Sequence, residues 1–295
     1  MRNVLRGTVK LGARENRLQP VSAPQKTTRF TSSLRADALS VLTLMLPAEK
    51  CEATNQLIGQ VETLTPEAIN ARIVEPSNLP GRPAKPSMTD PSKAQQRSMA
   101  TIEGRAALIH ALAHIELNAV NLALDAIWRF PDMPEKYYCD WLSVARDEAK
   151  HFGLLDAHLA ALGFHYGDFT AHNGLWDMAE STKHDVLARM ALVPRTLEAR
   201  GLDASPQVRN KLLSAGDKRA ADIVSIILND EVGHVYIGNY WYNWLCAQRG
   251  LDPIQTFSGL AVKHKAPRML SPLNLVARRA AGFSEEELLL MQGGH

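Results

Sequence analysis

The sequence predicts an all-α fold: a four-helix bundle with a dimetal site in its core and helical N- and C-terminal extensions. Three observations predict it. Long proline-free stretches repeat apolar residues at helical period, and no convincing strand interrupts them. One five-residue pattern occurs twice, as Asp147-Glu148-Ala149-Lys150-His151 and Asp230-Glu231-Val232-Gly233-His234. Two lone glutamates, Glu116 and Glu198, precede these motifs at matching distances: 32 residues from 116 to 148 and 33 from 198 to 231. A Glu and a His three residues apart share one helix face. Dinuclear carboxylate bundles take that pair from two helices and one lone Glu from each of the other two.

Taken in order, residues 1–35 form a basic N-terminal arm. Eight basic residues (Arg2, Arg6, Lys10, Arg14, Arg17, Lys26, Arg29, Arg35) stand against one acidic, Glu15. Residues 36–100 form a helical extension and a Pro-rich connection. Helices are expected over 36–45 and 47–61, with another short one from Pro66. Pro76, Pro80, Pro83, Pro86 and Pro91 then hold the chain extended. The bundle occupies 101–250, with core helices over 102–130, 134–163, 174–200 and 216–249. The turn Phe130-Pro131-Asp132-Met133-Pro134 lies midway between Glu116 and Glu148. Fourteen residues on each leg, about 21 Å at 1.5 Å per residue, bring those two glutamates to one level. In the second half Gly201 and Ser205-Pro206 are expected to end the third helix just after Glu198, leaving a short separate helix to about Gly216. Pro194 frees the carbonyl one turn before it and is expected to kink the helix near Glu198. Residues 251–295 form a C-terminal helical extension, clearest at 284–290.

The acidic residues fall on apolar stripes. Glu116 lies with Ile109, Leu112, Ala119 and Ala123; Glu148 and His151 lie with Trp141, Val144 and Leu155. Glu231 and His234 share a face with Val224, Ile227, Gly238 and Trp241. An unpaired carboxylate there costs several kcal/mol or is forced neutral, so a convergent group of four needs positive charge among them. Two divalent ions supply it, and carboxylate with imidazole suits iron, manganese or a mixed pair. The expected ligands are Glu116, Glu148, His151, Glu198, Glu231 and His234. Asp147 and Asp230 would orient the histidine rings from behind. The bland reading is a set of surface i,i+3 pairs, with Glu198 at an exposed helix end and Glu180 and His184 as its rivals. The remaining histidines read as hydrogen-bonded or surface residues, and the aromatic run Tyr236, Tyr240, Trp241, Trp244 reads as core packing.

Charge bounds the partners. With 33 Lys and Arg against 31 Asp and Glu the net charge is +2, which argues for neither nucleic acid nor membrane. No stretch reads as a transmembrane helix or a secretory signal. Cys51, Cys139 and Cys246 are odd in number and form no Cys-x-x-Cys pair, which points to a reducing cytoplasm and excludes an appended rubredoxin-type site. There is no haem and no nucleotide motif. A homodimer is compatible with such bundles, although no patch argues for one.

The run from Glu116 through Glu148/His151 and Glu198 to Glu231/His234 resembles the ferritin-like diiron-carboxylate superfamily. Four stretches are similar to one bacterial branch of it, domain-of-unknown-function family four-five-five: Glu103–Leu108, Ala113–Leu117, Leu197–Asp203 and Asn229–His234. More distantly the chain is similar to the tRNA hydroxylase and rubrerythrin branches. The resemblance implies a ferritin-like bundle with a diiron centre, the six ligands carrying over by position, but no particular reaction. The leading expectation is an O2-activating oxidoreductase, oxygenase or hydroxylase, acting on an unknown organic substrate with an unknown electron donor. A modified tRNA stays open as that substrate. The alternatives are a rubrerythrin- or catalase-like peroxide scavenger, a ferroxidase or iron-handling protein, and a non-catalytic helical scaffold.

Overall fold

Why the chain turns where it does follows from its caps and prolines. The computed structural model describes residues 33–57, 64–90, 97–267 and 272–293. Among these every regular element is helical, and the nearest thing to a strand is one isolated bridge between Met88 and Ala171. Most of the expected basic arm, residues 58–61 of the second expected helix, and Pro91 lie outside the described residues.

Helix α1 (Leu34–Leu42) starts at Ser33, whose hydroxyl accepts from the Ala36 amide. Arg35, expected in the arm, instead belongs to this helix and is buried, donating to the carbonyls of Ile69, Ala71 and Trp128. Helix α2 (Pro47–Gln56) and the short α3 (Pro66–Asn70) each have proline in the first turn, where its missing N–H costs nothing. The Pro-rich connection follows. A Cβ at Gly81 would collide with the Thr43 carbonyl, so this connection presses on the end of α1.

Helices α4 (Ile102–Arg129) and α5 (Glu135–Ala161) form the expected hairpin across the Phe130–Pro134 turn, in which Asp132 adopts φ 65°. Contrary to the expectation that no stretch would do so, α4 is long and apolar enough to cross a membrane by length and composition. Its apolar window is mostly buried in the protein, because α4 packs on α1 and α5 at once.

The third leg departs most from expectation. It runs as α6 (Gly174–Ser181), a turn, α7 (Val186–Leu192), a π-helical turn over Val193–Glu198, and α8 (Ala199–Ser214). The break falls at 182–185, where the extended Asp185 caps α7 by accepting from the Leu187 amide. Pro194 does perturb the helix ahead of Glu198, by widening it: with its N–H missing the ladder resets, and the Ala199 amide reaches back five residues to the Pro194 carbonyl. Gly201 and Pro206 do not end the helix; both lie inside α8. The reason is a contact from far along the chain. Pro206 leaves the carbonyl four residues before it, that of Leu202, without its donor, and Asn274 Nδ2 from the C-terminal extension donates to that oxygen at 3.1 Å.

Helix α9 (Lys218–Arg249) is capped by Asp217 and stopped by Gly250 at φ 64°, a left-handed conformation that favours glycine. It packs against α5, α7, the π turn and α8. Its buried Gly238 faces the Pro194 ring so closely that a Cβ would overlap it. Helices α10 (Pro253–Lys263), α11 (Leu275–Ala280) and α12 (Glu285–Gln292) complete the chain, the last with the reciprocal Ser284–Glu287 capping box.

A buried carboxylate–histidine cluster

Four helical segments deliver the acidic residues to one place. Glu116 comes from α4, Glu148 and His151 from α5, Glu198 from the end of the π turn, Glu231 and His234 from α9. Glu116, Glu148, His151 and Glu231 each offer a donor atom within 4.8 Å of the others, and all four are buried. This buried Glu/His group can hold metal ions.

Glu148 is central. Its Oε2 lies 3.3 Å from His151 Nδ1, and its Oε1 lies 3.0 Å from His234 Nδ1. His151 Nδ1 is also 3.1 Å from Glu116 Oε2, and His234 Nδ1 is 3.6 Å from Glu231 Oε1. The two imidazole centroids are 5.9 Å apart. Both rings thus turn Nδ1 inward to the carboxylates. Their Nε2 atoms turn outward and cross: His151 on α5 meets Asp230 of α9 at 2.9 Å, and His234 on α9 meets Asp147 of α5 at 3.4 Å. Each aspartate therefore serves the histidine of the opposite helix. Lys150 reaches over both, 2.6 Å from Asp230 and 3.7 Å from Asp147.

Glu198 stands beside the tight group rather than within it. Its carboxyl is held well above the usual range by burial and then by the charges of Glu231 and Glu148. Its rivals lie elsewhere, Glu180 pairing with Lys183 and His184 exposed in the turn after α6.

The electrostatics describe a site short of positive charge. Burial and the Glu148 charge push Glu116 and Glu231 upward too. Burial opposes ionisation of Glu148, but His234 and then His151 outweigh it and hold its carboxyl well below the ordinary value. The histidines move the other way. Burial would lower His151, yet its bonds to Glu116 and Glu148 raise it to about 10, and Glu148 raises His234 in the same manner. Protons and imidazolium charge fill a role that a cation would fill better. Two buried carboxylate oxygens, Glu198 Oε2 and Glu231 Oε2, have no hydrogen-bond partner, and Glu148 Oε1 and His234 Nδ1 lie 3.0 Å apart without an aligned hydrogen bond. A buried acceptor left unmade costs about 1–3 kcal/mol or more, so two such oxygens beside a close carboxylate–imidazole pair fit a bound cation. The donor set, oxygen and imidazole without thiolate, suits iron or manganese.

Sequence reasoning missed Lys150, whose i,i+3 spacing from Asp147 marked a same-helix pair but not its reach to Asp230. It also assigned the aromatic run to the core as a whole. Trp241 is buried there against Tyr137 at 5.3 Å, whereas Tyr236 and Tyr240 are exposed.

A model of the family described as "Protein of unknown function (DUF455)" matches residues 44–289. An uncharacterized protein of Haemophilus influenzae is 46% identical over 253 residues, covering 82% of this chain and 88% of its own length. No solved structure matches. A family model that spans the whole of the cluster and a relative this similar place the chain together: it belongs to the DUF455 family.

Proposed function

We propose that this protein is a non-haem dimetal carboxylate oxidoreductase that activates dioxygen, built as a ferritin-like four-helix bundle over residues 101–250. The observation that carries the reading is the meeting of Glu116, Glu148, His151 and Glu231 in one buried group, with His234 Nδ1 against Glu148 and unpartnered carboxylate oxygens on Glu198 and Glu231. Glu148, directed at both imidazoles, would be shared by the two metal positions, and Glu231 would help to hold the ions beside it. Glu116 with His151 would complete one position, and Glu198 with His234 the other. Two ferrous ions, when bound there, supply the two electrons that reduce dioxygen.

The chain's own residues do the rest. Asp230 and Asp147 hold protons on the Nε2 atoms, which leaves each Nδ1 lone pair free for coordination. Lys150 balances the two aspartates, so the negative charge of the inner carboxylates is not compounded behind the rings. Ala113, Phe152 and Ile227, each within four residues of a proposed ligand, are buried, an apolar setting that would help to keep the site dry. An organic substrate and an external electron donor are required by this chemistry.

Metal analysis of the purified chain tests it. About two ions per chain are expected, and anaerobic ferrous loading followed by air should take up oxygen and develop the near-ultraviolet absorption of an oxidised iron pair. One ion or none, with no oxygen uptake, would sink the reading.

A further inference from the structure

On the far side of α4 lies a second cleft, roofed by the Pro-rich connection. Residues 114, 117, 118 and 121 form one face of the helix, and at about 100° per residue Glu116 points roughly 150° away from that face. The cleft is therefore separate from the carboxylate cluster. Its polar lining is Lys50, Arg82, His114, Asn118, Asn121 and Tyr166, and among the described residues no Asp or Glu lines it.

Among the described residues neither cation in it has a counter-ion at ion-pair distance. Lys50 is buried, 2% exposed, and its ammonium is held by neutral acceptors, the Gly81 carbonyl at 2.9 Å and Asn121 Oδ1 at 2.6 Å. Asn121 thereby turns its amide donor away from Lys50. Among the described residues no group accepts a hydrogen bond from Arg82, and Asp177, the acid whose charge bears on it, does not reach ion-pair distance. His114 is fixed by Tyr166 at 2.7 Å and the His172 carbonyl at 3.0 Å, so the wall is built rather than loose. Met45, Met88 and Leu117 supply an apolar side. A half-buried guanidinium and a buried ammonium with nothing negative between them are arranged as an oxyanion receptor.

We propose that this cleft, with a space of about 20 Å³ and partly open to solvent, seats the anionic head group of a small carboxylate or phosphate monoester, any organic body lying toward the open side. Arg82 would be its principal ion partner and Lys50 with Asn121 would sit at its base. The proposal is independent of the metal reading, since it uses no ligand of the cluster.

Calorimetric titration of the full-length protein at constant chloride tests it, with inorganic phosphate, phenyl phosphate and benzoate as probes. Saturable one-to-one binding of at least one probe is expected. Whether phosphate or benzoate carries the affinity identifies the head group. Arg82→Gln should weaken that binding about tenfold or more, the loss of one charge-assisted pair, while Arg82→Lys retains most of it. Both variants should melt like the parent and hold the same metal content. No saturable binding by any probe, or equal affinity in Arg82→Gln, would overturn the proposal.

Discussion

Two glycines on α9 offer a matched experiment on how the π turn is held. Gly238 is buried against the Pro194 ring, and a Cβ there would overlap Cβ and Cγ of that ring. Gly233, on the same helix, is exposed and would place a Cβ in open space. Alanine at either position gains about 0.8–1 kcal/mol of helix propensity over glycine. Only Gly238→Ala meets an overpacking cost of about 1–3 kcal/mol, because a proline ring cannot rotate aside. Gly233→Ala should therefore stabilise by about 1 kcal/mol, while Gly238→Ala lies between about 0 and −2 kcal/mol. The separation between them, about 1–3 kcal/mol, is measurable by urea denaturation at unchanged slope. Since Pro194 begins the turn that ends at Glu198, Gly238→Ala should also reduce metal content, and Gly233→Ala should not. Equal stabilisation by both substitutions would show that α9 and the π turn are not in contact as described.

Other outcomes follow from the same geometry. Glu148→Ala should empty both metal positions in elemental analysis, and Glu116→Ala and His234→Ala should each abolish dimetal binding; full metal content in these variants would disprove the ligand set. Asp230→Asn should weaken metal affinity by about 10–100-fold in competition with a chelator, and Asp147→Asn by less, its contact being longer. Asn274→Ala strands the Leu202 carbonyl beside Pro206 and uncaps α11, and should cost about 1–3 kcal/mol in chemical denaturation. Burial lowers Lys50 to about 7, so between pH 7 and its unfolded value of 10.5 the unfolded chain binds the extra proton. Stability contributed by this group thus rises with pH through that window, by a few kcal/mol in all, and Lys50→Met should remove the rise. Parallel pH profiles for the two proteins would refute it.

The legible parts of the fold were those governed by helical period and punctuation. The α4–α5 hairpin and the level of Glu116 and Glu148 came from counting residues across a proline-rich turn. The paired Glu-x-x-His motifs identified the cluster, because one spacing recurring on apolar stripes is hard to reconcile with a solvated surface. The third leg was not legible. Pro206 is a helix breaker locally, and what keeps the helix running is a side chain 68 residues on (206 to 274), which no local pattern announces. The crossing of aspartates to opposite histidines was equally hidden: the sequence marked them as partners of imidazole, and only packing decides whose. The cleft behind α4 went unread for a related reason, since Lys50 and Arg82 look like ordinary surface charges until the Pro-rich segment folds over them.

The crossed aspartates tie the register of two helices to the centre between them. Sliding α9 by one residue against α5 would turn its side chains by about 100° and break both Asp–His contacts together, along with the approach of His234 to Glu148. Neither half can be assembled correctly while the other is out of phase. An ion entering first at either position would therefore tighten the geometry of its neighbour, so loading should proceed cooperatively, with singly filled protein scarce at half-saturation.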